Sequence, residues 1–297
     1  PLGVLARILS RAGSVLAPFI ARFQARLALD GTYEWTQAPP GDREPTEPPI
    51  LPRDKAVVVL VGIDALRADL VADDRYRDAL PNLHQMRASG VWFRDARTPA
   101  PATMVALTSL FTGRYFSELE WRPVSGMPAE WPNADPAPRF PELLSRHGVR
   151  TAAIHGLDWL SPDLGILGRV DDDLRLPRSE EETKQTFIGA ARLVDATITY
   201  LHDHPDRPVF VFMHWLEAHD PYDLGGTEGP SFDRYVREVA IADRELGRLR
   251  SALAAPDLAG RAALIVMADH GEAFVEHGSA YHGATLYEEM VRVPILV

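Results

Sequence analysis

The sequence has no cysteine, which removes disulfides, thiolate zinc sites and cysteine nucleophiles and leaves the redox compartment unread. It also lacks any apolar run of about 18 residues, the length a helix needs to cross a bilayer. Positive charge is short, with 31 Lys and Arg against 42 Asp and Glu and a formal charge of −11. That balance argues against nucleic acid as a partner and against broad attraction to anionic lipid, since both are held by clustered basic side chains. Phosphate esters stay open, because a bound cation would dominate the local field whatever the net charge. Internal repeats are missing too, as are low-complexity tracts outside one proline-rich stretch.

What remains is the balance of a globular chain: 297 residues, 46% hydrophobic and 25% charged. Residues 1–36 begin with PLGVLARILSRAGSVLAPFIARFQARLAL, which interleaves Leu, Ile, Val and Phe with Arg7, Arg11, Arg22 and Arg26. Such a segment can lie on a membrane surface, follow a transmembrane segment, or pack on the domain as an amphipathic helix. Residues 37–54 are crowded with proline and read as an extended linker. Residues 55–297 are expected to form the catalytic domain. Pro1 opens the chain and Val297 closes it inside an expected strand at 291–297, so both ends read as cuts through a longer protein.

The domain begins with KAVVVLVGI at 55–63, a continuous apolar run suited to a strand buried on both faces. Similar runs at 149–154, 208–213 and 262–268 are separated by helical patterns at 81–89, 104–112, 140–147, 183–203 and 232–254. That alternation predicts an α/β fold, a mostly parallel central sheet with helices on both faces. Segments 120–138 and 157–182 are expected as loops over the strand ends. Ligands of such sheets sit at the carboxyl ends of the strands. Asp64, His214 and Asp269 each fall just past one.

In ADHGEAFVEHGSAYHG, residues 268–283, Asp269 and His270 are adjacent and His282 follows 12 positions after His270. An Asp–His pair offers a hard oxygen and an imidazole nitrogen, which suits zinc or manganese better than calcium; in isolation it would read as a capping turn. Asp64 is expected close to Asp269, and two carboxylates at short range need a proton or a cation between them; alone, it could instead cap a helix. In TPAPATMVALTSLFTGRY, Thr103 opens a helical stretch that closes at Gly113, placing a hydroxyl among free backbone N–H groups where phosphoryl or sulfuryl oxygens bind well. Plain N-capping is the other reading. VFMHWLEAHDPYD carries His214 and His219, two imidazoles able to hold a second metal, bind oxygens or protonate a leaving group. His277 and Glu272 have no independent argument, and His84, His147, His155, His202 and His204 read as surface or structural.

Taken in order, VVVLVGIDALRADL, PNLHQMRASGVWFRDA, TMVALTSLFTG, HWLEAHDPY and DHGEAFVEHGSAYHGATLYEEMVRVPILV resemble the sulfatase family of the alkaline-phosphatase superfamily over roughly residues 55–297. The resemblance implies an alkaline-phosphatase-like fold and a metal enzyme. A count of ten residues back from Gly113 puts Thr103 where sulfatases carry the Cys or Ser oxidised to formylglycine. Threonine bears a methyl on its β-carbon and cannot give that aldehyde, and Val105 and Leu107 replace the family's Pro and Arg. A threonine there resembles the phosphoryl-handling branches, such as phosphoethanolamine transferases, which are membrane-anchored with an exported catalytic domain; their first metal ligand is usually Glu, whereas this chain has Asp64.

The expected function is that of a metal-dependent hydrolase or transferase of phosphate esters, working through a phosphothreonyl intermediate on Thr103. Expected metal ligands are Asp64, Thr103, Asp269 and His270, holding zinc, with manganese, magnesium or calcium as alternatives. His219 and His282 would be catalytic, and His214, His219 and His282 would bind substrate, a small-molecule, lipid or glycan phosphate or sulfate ester. An exported, membrane-anchored location follows from the same resemblance. The rival expectations are a sulfatase-like hydrolase of sulfate or phosphonate esters and a catalytically inactive binding domain of the same fold.

Overall fold

Four runs of apolar, largely β-branched or aromatic residues become the centre of the molecule. The computed structural model describes residues 51–127, 129–177 and 188–297. The amphipathic stretch expected at 1–36, the linker up to residue 50, and the start of the helix expected at 183–203 lie outside the described residues. Strands β1 (Val57–Ile63), β4 (Arg150–His155), β6 (Val209–Trp215) and β7 (Ala262–Ala268) run parallel. With two short edge strands, β5 (Asp172–Arg175) and β8 (Ile295–Leu296), they make one sheet in the order β5-β4-β6-β1-β7-β8. Only β8 is antiparallel to its neighbour. A separate ribbon, β2 (Arg122–Pro123) with β3 (Glu130–Trp131), lies in the segment expected as loop at 120–138.

Side chains alternate across the sheet, as strand geometry requires. Val57, Val59, Val61 and Ile63 of β1 join Val209, Val211, Met213 and Trp215 of β6 on one face. There they meet α1 (Ala68–Ala72), α2 (Pro81–Ser89), α5 (Ala190–Asp203) and α6 (Ser231–Leu253). Leu60, Phe210, Phe212 and Met267 point the other way, onto Leu107 and Phe111 of α3 (Thr103–Thr112) and Phe140 of α4 (Phe140–Arg146). Each large side chain buried in these layers contributes about 1.5–3 kcal/mol. The expected α/β sheet with helices on both faces is what forms.

Register then sets the site. Ile63 lies level with Trp215 on one side and Ala268 on the other, so β6, β1 and β7 end together. Asp64 and Asp269, the next residues of β1 and β7, emerge side by side at the carboxyl edge. His214 is the next-to-last residue of β6, opposite Gly62, rather than past the strand. A Cβ at Gly62 would sit 3.3 Å from His214 Nδ1, so glycine leaves room for that ring.

Two further local expectations change. Residues 291–297 do not form one strand: α7 (Glu288–Val291) comes first, and only Ile295–Leu296 pairs with β7. Val297 instead exchanges two 2.9 Å backbone hydrogen bonds with Val91. The segment expected as loop at 157–182 contains β5, whose Asp-Asp-Leu-Arg has no apolar pattern; three of its four residues are exposed at the sheet edge. Arg150 and Tyr200 anchor it through Asp172.

Candidate active site

The site is built at the three level strand ends, starting with Asp64. Its backbone N–H donates to the Trp215 carbonyl at 2.9 Å, and Ala65 then turns the chain with φ 58°. The Tyr235 hydroxyl steadies this turn by donating to the Ala65 carbonyl and accepting from Arg67 N–H, both at 2.9 Å. Asp64 is 1% exposed. Its Oδ2 lies 3.2 Å from the Thr103 hydroxyl and 3.1 Å from His214 Nε2. No helix is capped by it; α1 starts later and Arg67 precedes it without a side-chain cap.

Thr103 is the first residue of α3, after Ala102. Its Oγ1 faces Asp64 Oδ2 and His270 Nε2, each at 3.2 Å, rather than the helix's own N–H groups. The first N–H groups of a helix have no acceptor within the helix, and those of α3 start beside that hydroxyl.

Asp269 and His270 follow β7 and are fully buried, at 1% and 0% exposure. Asp269 Oδ1 accepts from His270 N–H at 2.9 Å and from Ala65 N–H at 3.3 Å, which ties the β1 and β7 loops together. His270 Nδ1 lies 2.9 Å from the Gly271 carbonyl. A carbonyl only accepts, so Nδ1 carries a proton and a neutral ring turns its Nε2 lone pair toward the two carboxylates. Gly271 is needed because the loop presses on Glu289, whose carbonyl oxygen would lie 2.0 Å from a Cβ at that position.

Two oxygens in this cluster, Asp64 Oδ1 and Asp269 Oδ2, are buried without a hydrogen-bond partner. They lie 3.4 and 3.6 Å from His270 Nε2. One donor atom from each of Asp64, Asp269 and His270 falls within 4.8 Å of the others. Burial pushes the Asp269 carboxyl up and the neighbouring Asp64 charge pushes it further. For Asp64 burial acts the same way, but the His214 hydrogen bond and the electrostatic influence of the surrounding imidazoles outweigh it and hold the group well below the usual carboxylate range. Burial lowers His214, yet its hydrogen bond to Asp64 and the Asp269 charge bring it above the ordinary imidazole value. Two orphaned carboxylate oxygens and an imidazole lone pair, with a hydroxyl beside them, fit a divalent cation of the zinc or manganese type.

The remaining histidines form the rim. His282 lies with its ring centroid 4.3 Å from that of His270 and 5.0 Å from that of His219. His219 Nδ1 bonds to the Asp220 carbonyl at 2.9 Å, leaving Nε2 to face outward from that bond. The structure thus brings Asp64, Thr103, His214, His219, Asp269, His270 and His282 into one cluster. His155 is held by Asp173 and His84 by the Leu70 carbonyl, away from it. A groove of about 450 Å³ adjoins Asp269, joining Arg97 and Arg114 to apolar Leu110, Val293 and Ile295.

Sequence reasoning missed Arg67 and Tyr222 and had no independent argument for Glu272. Arg67 is buried and pairs with Asp69 and Glu276 while donating to the Glu272 carbonyl, so one guanidinium links the β1 and β7 loops. Glu272 was visible only as a charge beside His270; its partners come from distant segments.

Three adjacent parallel strand ends thus deliver Asp, Asp–His and His around a helix-borne hydroxyl, in a fold of the kind that carries phosphate and sulfate ester chemistry. Residues 56–297 match the family model described as Sulfatase. The chain belongs to the sulfatase family. No curated protein sequence matches it. Among solved structures it is similar to the lipoteichoic acid synthase LtaP of Listeria monocytogenes, with TM-score 0.66 and 14% identity over 86% of this chain and 68% of that one. It is also similar to the C-terminal periplasmic domain of the phosphoethanolamine transferase EptC of Campylobacter jejuni, with TM-score 0.60 and 17% identity over 82% of this chain and 78% of that one. A third is the periplasmic domain of EcEptC of Escherichia coli in complex with Zn, with TM-score 0.60 and 14% identity over 82% and 72% of the two chains. Identities this low carry the fold alone. No helix among the described residues is long and apolar enough to cross a membrane.

Proposed function

We propose that this chain is a metal-dependent hydrolase or transferase of phosphate esters that uses Thr103 as its nucleophile. The observation that carries the reading is the Thr103 hydroxyl, buried and placed 3.2 Å from both Asp64 and His270 at the N-terminus of α3. Asp64, Asp269 and His270, with Thr103 Oγ1 as a fourth donor, would hold a divalent cation, most naturally zinc. Such an ion supplies Lewis acidity that favours the alkoxide over the hydroxyl.

The chain's own groups do the rest. Thr103 Oγ1 attacks phosphorus, forming a P–O bond as the bond to the leaving oxygen breaks on the opposite side. The N-terminus of α3, beside the Thr103 hydroxyl, would receive the non-bridging oxygens. His282 and His219 stand on the rim, where an imidazole can protonate the departing oxygen, with His214 supporting Asp64 from beneath. The phosphothreonine is then released to water in a hydrolase or to an acceptor alcohol in a transferase. Family membership by itself supports phosphate or sulfate ester chemistry. The choice of phosphate follows from the threonine, whose β-carbon cannot be oxidised to an aldehyde.

The periplasmic domains among the structural neighbours support an exported location, and the groove beside Asp269 suits an ester with both anionic and apolar parts. A panel of aryl phosphate monoester, diester, phosphonate and sulfate substrates tests the reading. Phosphate esters should be turned over best, and Thr103→Ala should lose at least about 1,000-fold in kcat. Dominant sulfatase activity that survives Thr103→Ala would end the phosphoryl-transfer reading.

A further inference from the structure

Glu272 is fully buried, yet neither the carboxylate cluster nor the threonine uses it. Both its oxygens face Nδ1 of His282, at 3.2 and 3.1 Å. Oε2 also accepts a 2.6 Å hydrogen bond from the Tyr222 hydroxyl, and Oε1 lies 3.3 Å from Ala273 N–H. Tyr222 is 1% exposed and held at φ 55°, a left-handed conformation unfavourable for a residue with a Cβ. Its ring packs against Tyr235 and Phe274, at 5.7 and 5.5 Å between centroids, so the hydroxyl has little freedom to turn elsewhere. His282 Nε2 has no hydrogen-bond partner among the described residues.

A carboxylate oxygen accepts, so the Glu272 contact places a proton on Nδ1 of His282. The neutral ring is then the Nδ1–H tautomer, with its Nε2 edge turned from Glu272 and its plane beside His270 and His219. A buried acid that orients a catalytic imidazole acts in the same way in hydrolase triads. Outer groups that orient a reactive side chain carry much of its effect.

We propose that Glu272 and Tyr222 are positioning residues that fix the tautomer and direction of His282, so that Nε2 faces the ester at Thr103. The proposal rests on the phosphoryl-transfer reading only for the identity of the ester. Its physical core, a single oriented tautomer, stands independently of turnover.

Both parts are measurable on the full chain. Long-range proton–nitrogen correlation spectra of the His282 ring in alkaline buffer should show the Nδ1–H tautomer, whereas free imidazole side chains favour Nε2–H. Glu272→Gln should relax that preference. It should also lower kcat on an alkyl phosphate about 100-fold, with KM changed less than about two-fold and metal content unchanged by elemental analysis. Glu272→Asp should recover about a tenth to a third of the lost rate, and Tyr222→Phe, which removes one oxygen, should cost about 3- to 10-fold. An Nε2–H ring in the unsubstituted protein, or Glu272→Gln with unchanged kcat, overturns the positioning role. Thr103→Ala in the same assay separates the two ideas: turnover that persists there refutes the threonine nucleophile, while the tautomer still decides Glu272. If Glu272→Gln does not fold, the spectrum of the unsubstituted protein and the Tyr222→Phe kinetics decide the question.

Discussion

Neutralising Asp269 should stabilise the metal-free protein and weaken the stabilisation that metal brings. Asp64 Oδ1 and Asp269 Oδ2 are both buried and unpartnered, and the donor atoms around them lie within 4.8 Å of one another. Two unit charges at that spacing repel by about 3 kcal/mol at an effective dielectric of about 20. Asp269→Asn keeps the shape and removes one charge, so the metal-free variant should gain about 1–3 kcal/mol. For a domain of this size that is roughly 2–12 °C in melting temperature. Burial and the Asp64 charge raise the Asp269 pKa. A folded-state pKa above the unfolded one means stability is present below the unfolded value and lost as pH rises through the folded one, so the variant's advantage should grow with pH. Metal acts in the opposite direction. At about 1,000 times its Kd, a cation stabilises the unsubstituted protein by about 4 kcal/mol, whereas an amide is a weaker ligand than a carboxylate. Thermal melts in chelator, then with zinc, manganese, magnesium and calcium in turn, read both effects. The variant should melt higher in chelator and the unsubstituted protein higher in zinc. Equal zinc shifts in both proteins, or no shift in either, would refute a cation between these carboxylates.

Glu217 offers a test of burial outside the Asp64, Asp269 and His270 cluster. Burial pushes its carboxyl up to about 7 from an ordinary 4.5, and Ala190 N–H at the start of α5 is a hydrogen-bond donor to it. The folded state therefore holds the proton longer, so stability is fully present below about 4.5 and lost as pH rises through about 7. At about 1.4 kcal/mol per pH unit that loss is roughly 3 kcal/mol. Glu217→Gln should flatten the curve of denaturant midpoint against pH, and an unchanged slope between those values would contradict the assignment. Gly271→Ala would bring a Cβ within 2.0 Å of the Glu289 carbonyl oxygen. Such overpacking should cost about 2–3 kcal/mol and weaken zinc binding by displacing His270, readable by calorimetry. A variant with unchanged stability and affinity would show that the loop relaxes freely.

The sheet was legible because its central strands are largely buried, and continuous apolar runs such as those at 57–63 and 208–213 have few other uses. The candidate cluster was legible for a related reason: strand ends in such a sheet carry the ligands, and Asp64, His214 and Asp269 each followed an apolar run. The polar edge strand Asp172–Arg175 was not, since it has no apolar pattern and is held beside β4 by hydrogen bonds from Arg150 and Tyr200 to Asp172. Val291 reads as strand by composition but ends a helical turn, because Glu288–Val291 is drawn over Gly271 and Glu272 by backbone hydrogen bonds to Met290 and Glu289. Glu272 and Tyr222 were invisible as a pair for want of any local pattern. They are 50 residues apart and meet only when the segments after β6 and β7 fold over the same strand ends.

The most direct test of the threonine nucleophile is to look for the covalent intermediate. The zinc-loaded chain is mixed with an aryl phosphate ester, quenched in acid within a turnover, and digested for mass spectrometry. The expected result is a phosphoryl group on Thr103 that requires the metal and is absent from Thr103→Ala. Turnover of the same ester with no such adduct, undiminished in Thr103→Ala, would contradict it.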